Sequence, residues 1–259
     1  MTKHPAPQRL LALVTATPTE MRAALAGISA GGAGYAVPER GAALARIAGR
    51  EMLLVVTGVG PVNAALEMGA VLGRYDVSGV LNLGLAGSFD LIAAPLESVV
   101  AASREAFPEY GVVSGAYFAD ASAFPFPQWE DCAGRVLQTL ELAPDEAAAG
   151  MGLVLPEMLR RGAALTVAGV TGSFERARAM AERHGALTES MEGFALALAC
   201  RTRQTPFLEV RTISNRVGER DRANWKLITA LEGLGSALAG LFPARTPQIN
   251  RGYPDKTIS

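Results

Sequence analysis

The segment Leu10–Ala16 reads LLALVTA and runs directly into Thr17-Pro18-Thr19-Glu20. An apolar run of this length is typical of a strand, and proline is favoured at the first position of the helix that follows. Similar runs, each followed by a glycine-rich or helical stretch, recur at Glu51–Thr57, Gly79–Leu85, Leu96–Ala102, Ala164–Val170 and Pro206–Ile213. Strands that are apolar throughout are typical of a sheet covered on both faces. The pattern therefore predicts an α/β fold with much parallel strand pairing.

The composition excludes several classes of function. The 259 residues carry 24 Lys and Arg against 25 Asp and Glu, a formal net charge of −1 that offers no field for nucleic acid or an anionic membrane. Two His and two Cys without a Cys-x-x-Cys pair predict no zinc site and no disulfide scaffold, and we expect no metal or other cofactor. No run approaches the roughly 18 apolar residues of a membrane span, and the first apolar run is too short for a signal peptide. We therefore expect a soluble cytoplasmic protein.

The domain organisation is predicted to be simple. Residues 1–259 form a single domain, with a core at about 10–242 and a loose tail at 243–259 that lacks apolar anchors. Residues 105–156 are instead rich in Phe, Pro, Ala and acidic residues, and two interpretations fit them: a solvated insertion with one helix at Asp131–Leu142, or a specificity loop. A closing helix is predicted at about Arg222–Leu241, with a core-facing stripe of Trp225, Ile228, Leu231, Leu234 and Leu238.

Three glycine clusters follow predicted strands, at Thr57-Gly58-Val59-Gly60, Gly84-Leu85-Ala86-Gly87 and Gly169-Val170-Thr171-Gly172. Glycine at a strand end allows a tight turn or a close approach of backbone to a ligand. None of the clusters is a dinucleotide fingerprint or a P-loop. Each cluster taken alone therefore predicts a turn rather than a binding site. Ser173 has no suitably placed His as a base and no G-x-S-x-G elbow, which argues against a serine hydrolase.

Three polar side chains follow strands of the predicted sheet. Glu20 comes after the first strand, Glu192 lies in a polar break before an Ala-rich helix, and Asn215 follows the late apolar run. Each alone is best explained as a helix cap. Together they are predicted to converge on one edge of the sheet, where ligands of α/β proteins bind.

In this arrangement the sequence from Leu10 to Leu241 resembles the nucleoside phosphorylase/nucleosidase superfamily. The pieces that match, in family order, are Ala16-Thr17-Pro18-Thr19-Glu20, Thr57-Gly58-Val59-Gly60, Asn82-Leu83-Gly84-Leu85-Ala86-Gly87, Thr171-Gly172-Ser173-Phe174, Ser190-Met191-Glu192-Gly193 and Arg211-Thr212-Ile213-Ser214-Asn215. The resemblance implies a single-domain three-layer α/β/α sandwich with a mixed, largely parallel central sheet.

The resemblance also implies roles for particular residues. Glu20 would activate the attacking water, and Glu192 would hold the ribose hydroxyls while Met191 packs on the sugar. Phe174 would stack on the purine, whose edge is lined near Ala86 and Gly87. Asn215 would hydrogen-bond the leaving base, and Arg211 is expected to brace the Asn215 loop without touching substrate.

Two departures from the family pattern indicate the branch. Asn215 stands where adenine-specific nucleosidases carry Asp, and its two amide hydrogens suit N7 and O6 of a 6-oxopurine. Leu85 stands where relatives more often carry Ser or Thr, and no Arg-bearing phosphate loop follows the first strand, which favours water over phosphate as nucleophile. The stretch from Ile213 to Arg222, followed by Trp225, resembles the futalosine hydrolase branch, whose members release hypoxanthine and dehypoxanthine futalosine in menaquinone biosynthesis.

Several alternatives stay open from the sequence. A methylthioadenosine/S-adenosylhomocysteine-type nucleosidase and a 6-oxopurine nucleoside phosphorylase are the rival enzymes, and a nucleoside-binding module on the same fold would not need Glu20. The cation for the carboxyphenyl end of futalosine is open between Arg104 and Arg216, and the aromatic segment Phe118–Trp129 is a candidate cover. By resemblance we expect the 105–156 insertion to vary within the family and the protein to be a homo-oligomer, a dimer or a tetramer.

Overall fold

The computed structural model describes residues 9–28, 34–114, 117–123 and 126–243. The strands are β1 Leu10–Thr15, β2 Gly41–Ile47, β3 Arg50–Val56, β4 Val77–Ser88, β5 Val99–Ala106, β6 Gly111–Ser114, β7 Tyr117–Asp120, β8 Trp129–Asp131, β9 Gly134–Val136, β10 Thr139–Glu141, β11 Arg160–Thr166, β12 Ala186–Ser190 and β13 Phe207–Arg216. The helices are α1 Pro18–Ala26, α2 Pro61–Arg74, α3 Pro144–Gly150, α4 Phe174–His184, α5 Gly193–Thr202 and α6 Leu227–Leu241.

Nine strands form the central sheet. Eight lie in the order β10-β5-β11-β12-β4-β1-β3-β2, and β13 pairs with both β4 and β5. The pairings of β1 with β3 and β4, of β11 with β5 and β12, and of β13 with β4 are parallel, whereas the others are antiparallel. Because β4, β13, β5, β11 and β12 pair in a closed circuit, this half of the sheet bends into a ring, while β1, β3 and β2 extend from it.

Helices cover both faces of the sheet. Alternate residues of β1 divide between two cores: Leu11 and Leu13 pack with α1 and α6, whereas Ala12 and Val14 pack with α2 and α5. Burial on both sides explains why the strands are apolar throughout. The structure confirms the predicted three-layer α/β/α sandwich with a mixed sheet.

Two predicted helices differ from the structure. The helix expected at Asp131–Leu142 is wrong, because this stretch contains β9 and β10, and Leu140 of β10 pairs opposite Glu105 of β5. The closing helix begins at Leu227, after a short 3-10 turn, so Trp225 precedes it and Ile228 is exposed.

The 105–156 stretch is not detached from the core. Glu105 lies fully buried in β5, and Leu153 and Leu155 after α3 pack against the main apolar cluster. Of the predicted loose tail, only Pro243 belongs to the described residues. Within the described ranges, no helix is both long and apolar enough to cross a membrane.

Candidate active site

A cavity of about 350 Å³ opens at the edge of the sheet where β1, β4, β12 and β13 end. Six of the predicted site residues line it: Glu20, Ala86, Gly87, Met191, Glu192 and Asn215. The further lining residues are Ala16, Thr17, Val59, Leu85, Val170, Thr171, Glu189, Ser190, Ser214, Val217, Gly218, Glu219, Arg220, Trp225 and Leu227. The expected convergence of polar groups from separate strands is therefore present.

Glu20 is held at the start of α1 by a capping box. Thr17 accepts from the Glu20 N–H at 3.2 Å, and the Thr17 N–H and hydroxyl lie 3.0 and 2.9 Å from Glu20 Oε2. The other carboxylate oxygen, Oε1, accepts from the Leu85 N–H at 3.1 Å. Glu20 is thus both a helix cap and a fixed carboxylate in the cavity wall, with acceptor capacity left for a water.

Glu192 lies directly before α5, on the floor of the cavity. Its Oε1 accepts from the Gly60 N–H at 2.9 Å, and its Oε2 lies 3.8 Å from Nη1 of Arg211. Burial raises the pKa of the Glu192 carboxyl above its usual value; Arg211 and the Gly60 N–H lower it, and Glu20 raises it further. Met191, the preceding residue, lines the cavity beside it.

Asn215 lies at an irregularity in the pairing of β13 with β4, opposite Gly87. Its Oδ1 accepts from the Ser214 hydroxyl at 2.8 Å, and its Nδ2 donates to the Arg216 carbonyl at 3.0 Å. One amide hydrogen is therefore left for a ligand, whereas the sequence predicted two. A Cβ on Gly87 would lie 2.9 Å from the Val217 side chain and 3.2 Å from Asn215 Nδ2, so a larger residue at position 87 would displace this wall.

Phe174 does not lie among the residues that line the cavity. It is the first residue of α4, half-exposed, and the guanidinium of Arg216 lies 4.7 Å from the centre of its ring. Val170 and Thr171, earlier in the same loop, line the cavity instead. Arg216 is engaged with Phe174, and Arg104 donates to the His184 carbonyl, so neither predicted cation lines the cavity.

The sequence analysis did not place Glu189, Arg220 or Trp225 in the site, although all three line the cavity. Glu189 accepts from the Thr171 N–H at 3.0 Å and from its hydroxyl at 2.6 Å, and burial raises the pKa of its carboxyl despite these bonds. Trp225 donates to the Glu219 carbonyl at 3.2 Å, and the Arg220 guanidinium lies 5.7 Å from the centre of its ring. The sequence signal that pointed to this side of the cavity was the resemblance of the stretch from Ile213 to Arg222, followed by Trp225, to the futalosine hydrolase branch.

Arg211 lies behind the cavity wall, with Nη1 3.8 Å from Oε2 of Glu192. Its Nε donates to Glu209 at 2.7 Å and its Nη2 donates to Asn82 at 2.7 Å. Burial lowers the pKa of Arg211, but the carboxylates of Glu209, Glu192 and Glu20 raise it by more, so the guanidinium stays protonated. Among the described residues, the partners of the Arg211 side chain are thus Glu209, Asn82 and Glu192, whereas the sequence predicted a brace of the Asn215 loop.

The charge in the cavity is mainly negative. Among the described residues that line it, Glu20, Glu189, Glu192 and Glu219 are acidic, and Arg220 is the single cation. Such a lining suits the uncharged ribose and base of a nucleoside, and water, better than a phosphate anion, which needs several cations or hydroxyls.

A pair of carboxylates and an amide at one edge of an α/β/α sandwich is the arrangement expected of enzymes that cleave N-ribosidic bonds. The chain belongs to the phosphorylase superfamily, which it matches over residues 10–238. A futalosine hydrolase of Streptomyces coelicolor is 36% identical over 198 residues, covering 73% of this chain and 78% of that protein. A futalosine hydrolase of Thermus thermophilus is 32% identical over 198 residues, covering 75% and 82%.

The fold has solved counterparts. The structure of a futalosine hydrolase mutant of Helicobacter pylori strain 26695 has a TM-score of 0.65 to this chain, with 17% sequence identity. The match covers 90% of this chain and 98% of that chain, and it shows that the fold is the same.

Proposed function

We propose that the protein hydrolyses the N-ribosidic bond of futalosine and releases hypoxanthine and dehypoxanthine futalosine in menaquinone biosynthesis. The observation that carries this proposal is the cavity that combines the Glu20 carboxylate with the neutral amide of Asn215. The identities of 36% and 32% to two futalosine hydrolases support it. The enzyme is thus an N-glycosyl hydrolase of the purine nucleosidase type.

Water is the nucleophile in this proposal. Glu20, held by Thr17 and Leu85, would accept a proton as the water oxygen bonds to the anomeric carbon. A phosphate at the same place would meet a carboxylate, while Arg211 is already bound to Glu209 and Asn82. The lining therefore favours hydrolysis over phosphorolysis.

Glu192 and Met191 would position the ribose. The Glu192 carboxylate would accept from the 2′- and 3′-hydroxyls, while its negative charge lies near the positive charge that develops on the sugar as the C1′–N9 bond breaks. Because the transition state resembles an oxocarbenium ion, this interaction is stronger there than with bound substrate.

The base would leave against Asn215 and the backbone of Ala86 and Gly87. The C1′–N9 electron pair passes to the purine, and the free amide hydrogen of Asn215 would donate to N7 or O6 of the leaving hypoxanthine. Stacking of Phe174 on the purine would require its ring to turn from Arg216 towards the cavity. Val170, which already lines the cavity, is the apolar contact we assign to the purine face.

Arg220 would meet the carboxylate of the carboxyphenyl group. It is the one cation among the described lining residues, and the adjacent Trp225 ring offers an apolar surface for a phenyl ring. This assignment replaces Arg104 and Arg216, neither of which lines the cavity.

The biological setting of the enzyme is part of the proposal. Cys132 and Cys200 are free thiols, which suits a cytoplasmic location. A homo-oligomer, a dimer or a tetramer, would cover the apolar surface on α2 where Val62 and Leu66 are exposed.

Two rival activities make different predictions for one substrate panel. We expect release of hypoxanthine from futalosine without phosphate, measured by HPLC alongside inosine and methylthioadenosine, each with and without phosphate. Cleavage that depends on phosphate would indicate a 6-oxopurine nucleoside phosphorylase, and adenine release from methylthioadenosine would indicate the other nucleosidase type.

The same panel tests the role of Asn215. The Asn215→Asp variant places a carboxylate against the purine, and a mispaired buried polar group costs about 1–3 kcal/mol, which is about a 5- to 150-fold loss in kcat/KM for futalosine. An unchanged kcat/KM for futalosine would remove Asn215 from base recognition.

A further inference from the structure

A buried polar cluster connects the cavity floor to the interior of the protein through Arg211. The Arg211 side chain is 2% exposed, and its Nε lies 2.7 Å from Oε1 of Glu209. On its other side, Nη1 lies 3.8 Å from Oε2 of Glu192, which faces the cavity. Arg211 therefore lies between the Glu192 carboxylate in the site and the Glu209 carboxylate behind it, and it is closer to Glu209.

Glu105 completes this cluster from β5. Its Oε2 accepts from the Thr166 hydroxyl at 2.9 Å, and the same hydroxyl oxygen accepts from the Phe194 N–H at 2.7 Å. Because the hydroxyl hydrogen goes to Oε2, that oxygen of Glu105 is an acceptor and does not carry a proton.

The remaining oxygens of the two carboxyl groups lie together. Glu105 Oε1 and Glu209 Oε2 are buried and have no hydrogen-bond partner among the described residues when both groups are written as ionised. A Cβ on Gly193 would lie 2.2 Å from Glu105 Oε1 and 2.4 Å from Glu209 Oε2, so both oxygens crowd the space left by this glycine. Two ionised carboxylates in such contact, away from water, would repel strongly, whereas one proton between them satisfies both oxygens.

The surroundings support retention of that proton. Burial raises the pKa of Glu105 well above its usual range, the Glu209 carboxylate and a hydrogen bond to it raise it further, and Thr166 and Arg211 lower it by less. Among the described residues, the charged groups that act on Glu105 are Glu209 and Arg211 of β13, and Glu192 lies beyond Arg211. From β11 it meets the uncharged Thr166, and from β10 it is paired with Leu140.

We propose that Glu105 and Glu209 share one proton and serve as positioning residues that keep Glu192 available for the ribose. The protonated pair holds a single negative charge against Arg211, which then needs no close contact with Glu192. If Glu209 loses its charge, Glu192 becomes the nearest ionised partner of Arg211 and is drawn away from the ribose hydroxyls. The ribose role of Glu192 rests on the proposed function, whereas the shared proton does not.

Two glutamine substitutions separate this role from a merely structural one. In Glu105→Gln the amide can donate to Glu209 and its carbonyl can accept from Thr166, so we expect kcat/KM within about threefold of the wild type. In Glu209→Gln the charge facing Arg211 is lost, and we expect KM to rise by about tenfold or more with a smaller change in kcat. An equal loss in both variants, with both folded by circular dichroism, would overturn the proposal.

A measurement without substrate tests the shared proton directly. Because the pKa of Glu105 is raised in the folded state, the stability that its proton provides is present below the unfolded pKa and is lost as the pH rises through the folded pKa. The free energy of unfolding in urea should therefore fall with rising pH more steeply in the wild type than in Glu105→Gln. Equal pH slopes would overturn the proposal, even if Glu209→Gln does not fold or futalosine is not the substrate.

Discussion

Glu20 shows how one side chain can satisfy two interpretations of the sequence. The Thr17–Glu20 capping box fixes the start of α1, and the same carboxylate lines the cavity and accepts from Leu85. A cap is usually taken as a reason to discount a functional role. Here the cap is what holds the carboxylate rigid, and rigidity is what a base needs in order to meet a water in one place.

Replacing Glu20 by Gln should separate its two roles. The amide oxygen can still accept from Thr17, but it cannot take a proton, so we expect kcat to fall by about 100-fold or more while KM changes little. Steady-state kinetics with futalosine measures both constants. Ser173→Ala is the control: it removes the cap of α4, which lies outside the cavity lining, and it should cost about 0.5–2 kcal/mol and lower the melting temperature with little effect on kcat. An active Glu20→Gln enzyme would refute the assignment of Glu20 as general base.

The cavity residues that could be predicted from the sequence lie at strand ends, whereas Glu189, which was missed, reaches the cavity through contacts with a distant residue. Glu20 and Glu192 could be predicted because they follow strands, and Asn215 because it lies near the end of β13; the fold alone brings these strand ends together. Glu189 lies inside β12 and reaches the cavity through its bonds to Thr171, a contact that no spacing reveals. Phe174 lies outside the cavity lining in this structure, and its stacking on the purine stays a prediction, since the sequence does not determine which loop residues face inward.

At the scale of elements, hydrophobic pattern predicted strands better than helices. Runs such as Leu10–Thr15 are buried on both faces, so their sequence alone is decisive. The stretch Asp131–Leu142 has residues compatible with a helix, but β10 forms there because it pairs with β5 and buries Leu140. Such pairing between distant segments overrides local propensity, and it is not visible in a single sequence.

The segment between β13 and α6 is the element that we expect to set specificity at the far end of the substrate. In Arg220→Gln the single cation of the described cavity lining is lost, and KM for futalosine should rise by about tenfold, consistent with one charge-assisted hydrogen bond. Inosine, which lacks the carboxyphenyl group, should be cleaved as by the wild type. Arg222→Gln is the control, because Arg222 lies in the same segment but outside the lining. A loss of the same size for inosine would show that Arg220 acts on the nucleoside and not on the carboxylate.

At the scale of the whole molecule, the face formed by α2 and α5 carries a groove of about 460 Å³. It is lined mostly by apolar side chains, among them Val62, Leu66, Phe194 and Leu198, and Val62 and Leu66 are 71% and 66% exposed. Exposed apolar patches of this kind mark interaction surfaces. The groove begins at Pro61, two residues beyond Val59, which lines the active-site cavity. A second copy of the chain on this face would thus lie beside the cavity.

A charge placed in this groove tests the proposed homo-oligomer. We expect the wild type to sediment as a dimer or a tetramer and Leu66→Glu to sediment as a monomer, because burying an unpaired carboxylate at an apolar interface costs several kcal/mol. Met158→Glu is the control, since Met158 is 97% exposed and lies outside the groove, and it should leave the assembly intact. The Leu66→Glu monomer should also lose activity. Val59 lines the cavity and lies two residues before Pro61 of the groove, so we expect the second copy to support this part of the cavity wall. A wild type that sediments as a monomer at micromolar concentration would contradict the assignment of this face to a second copy.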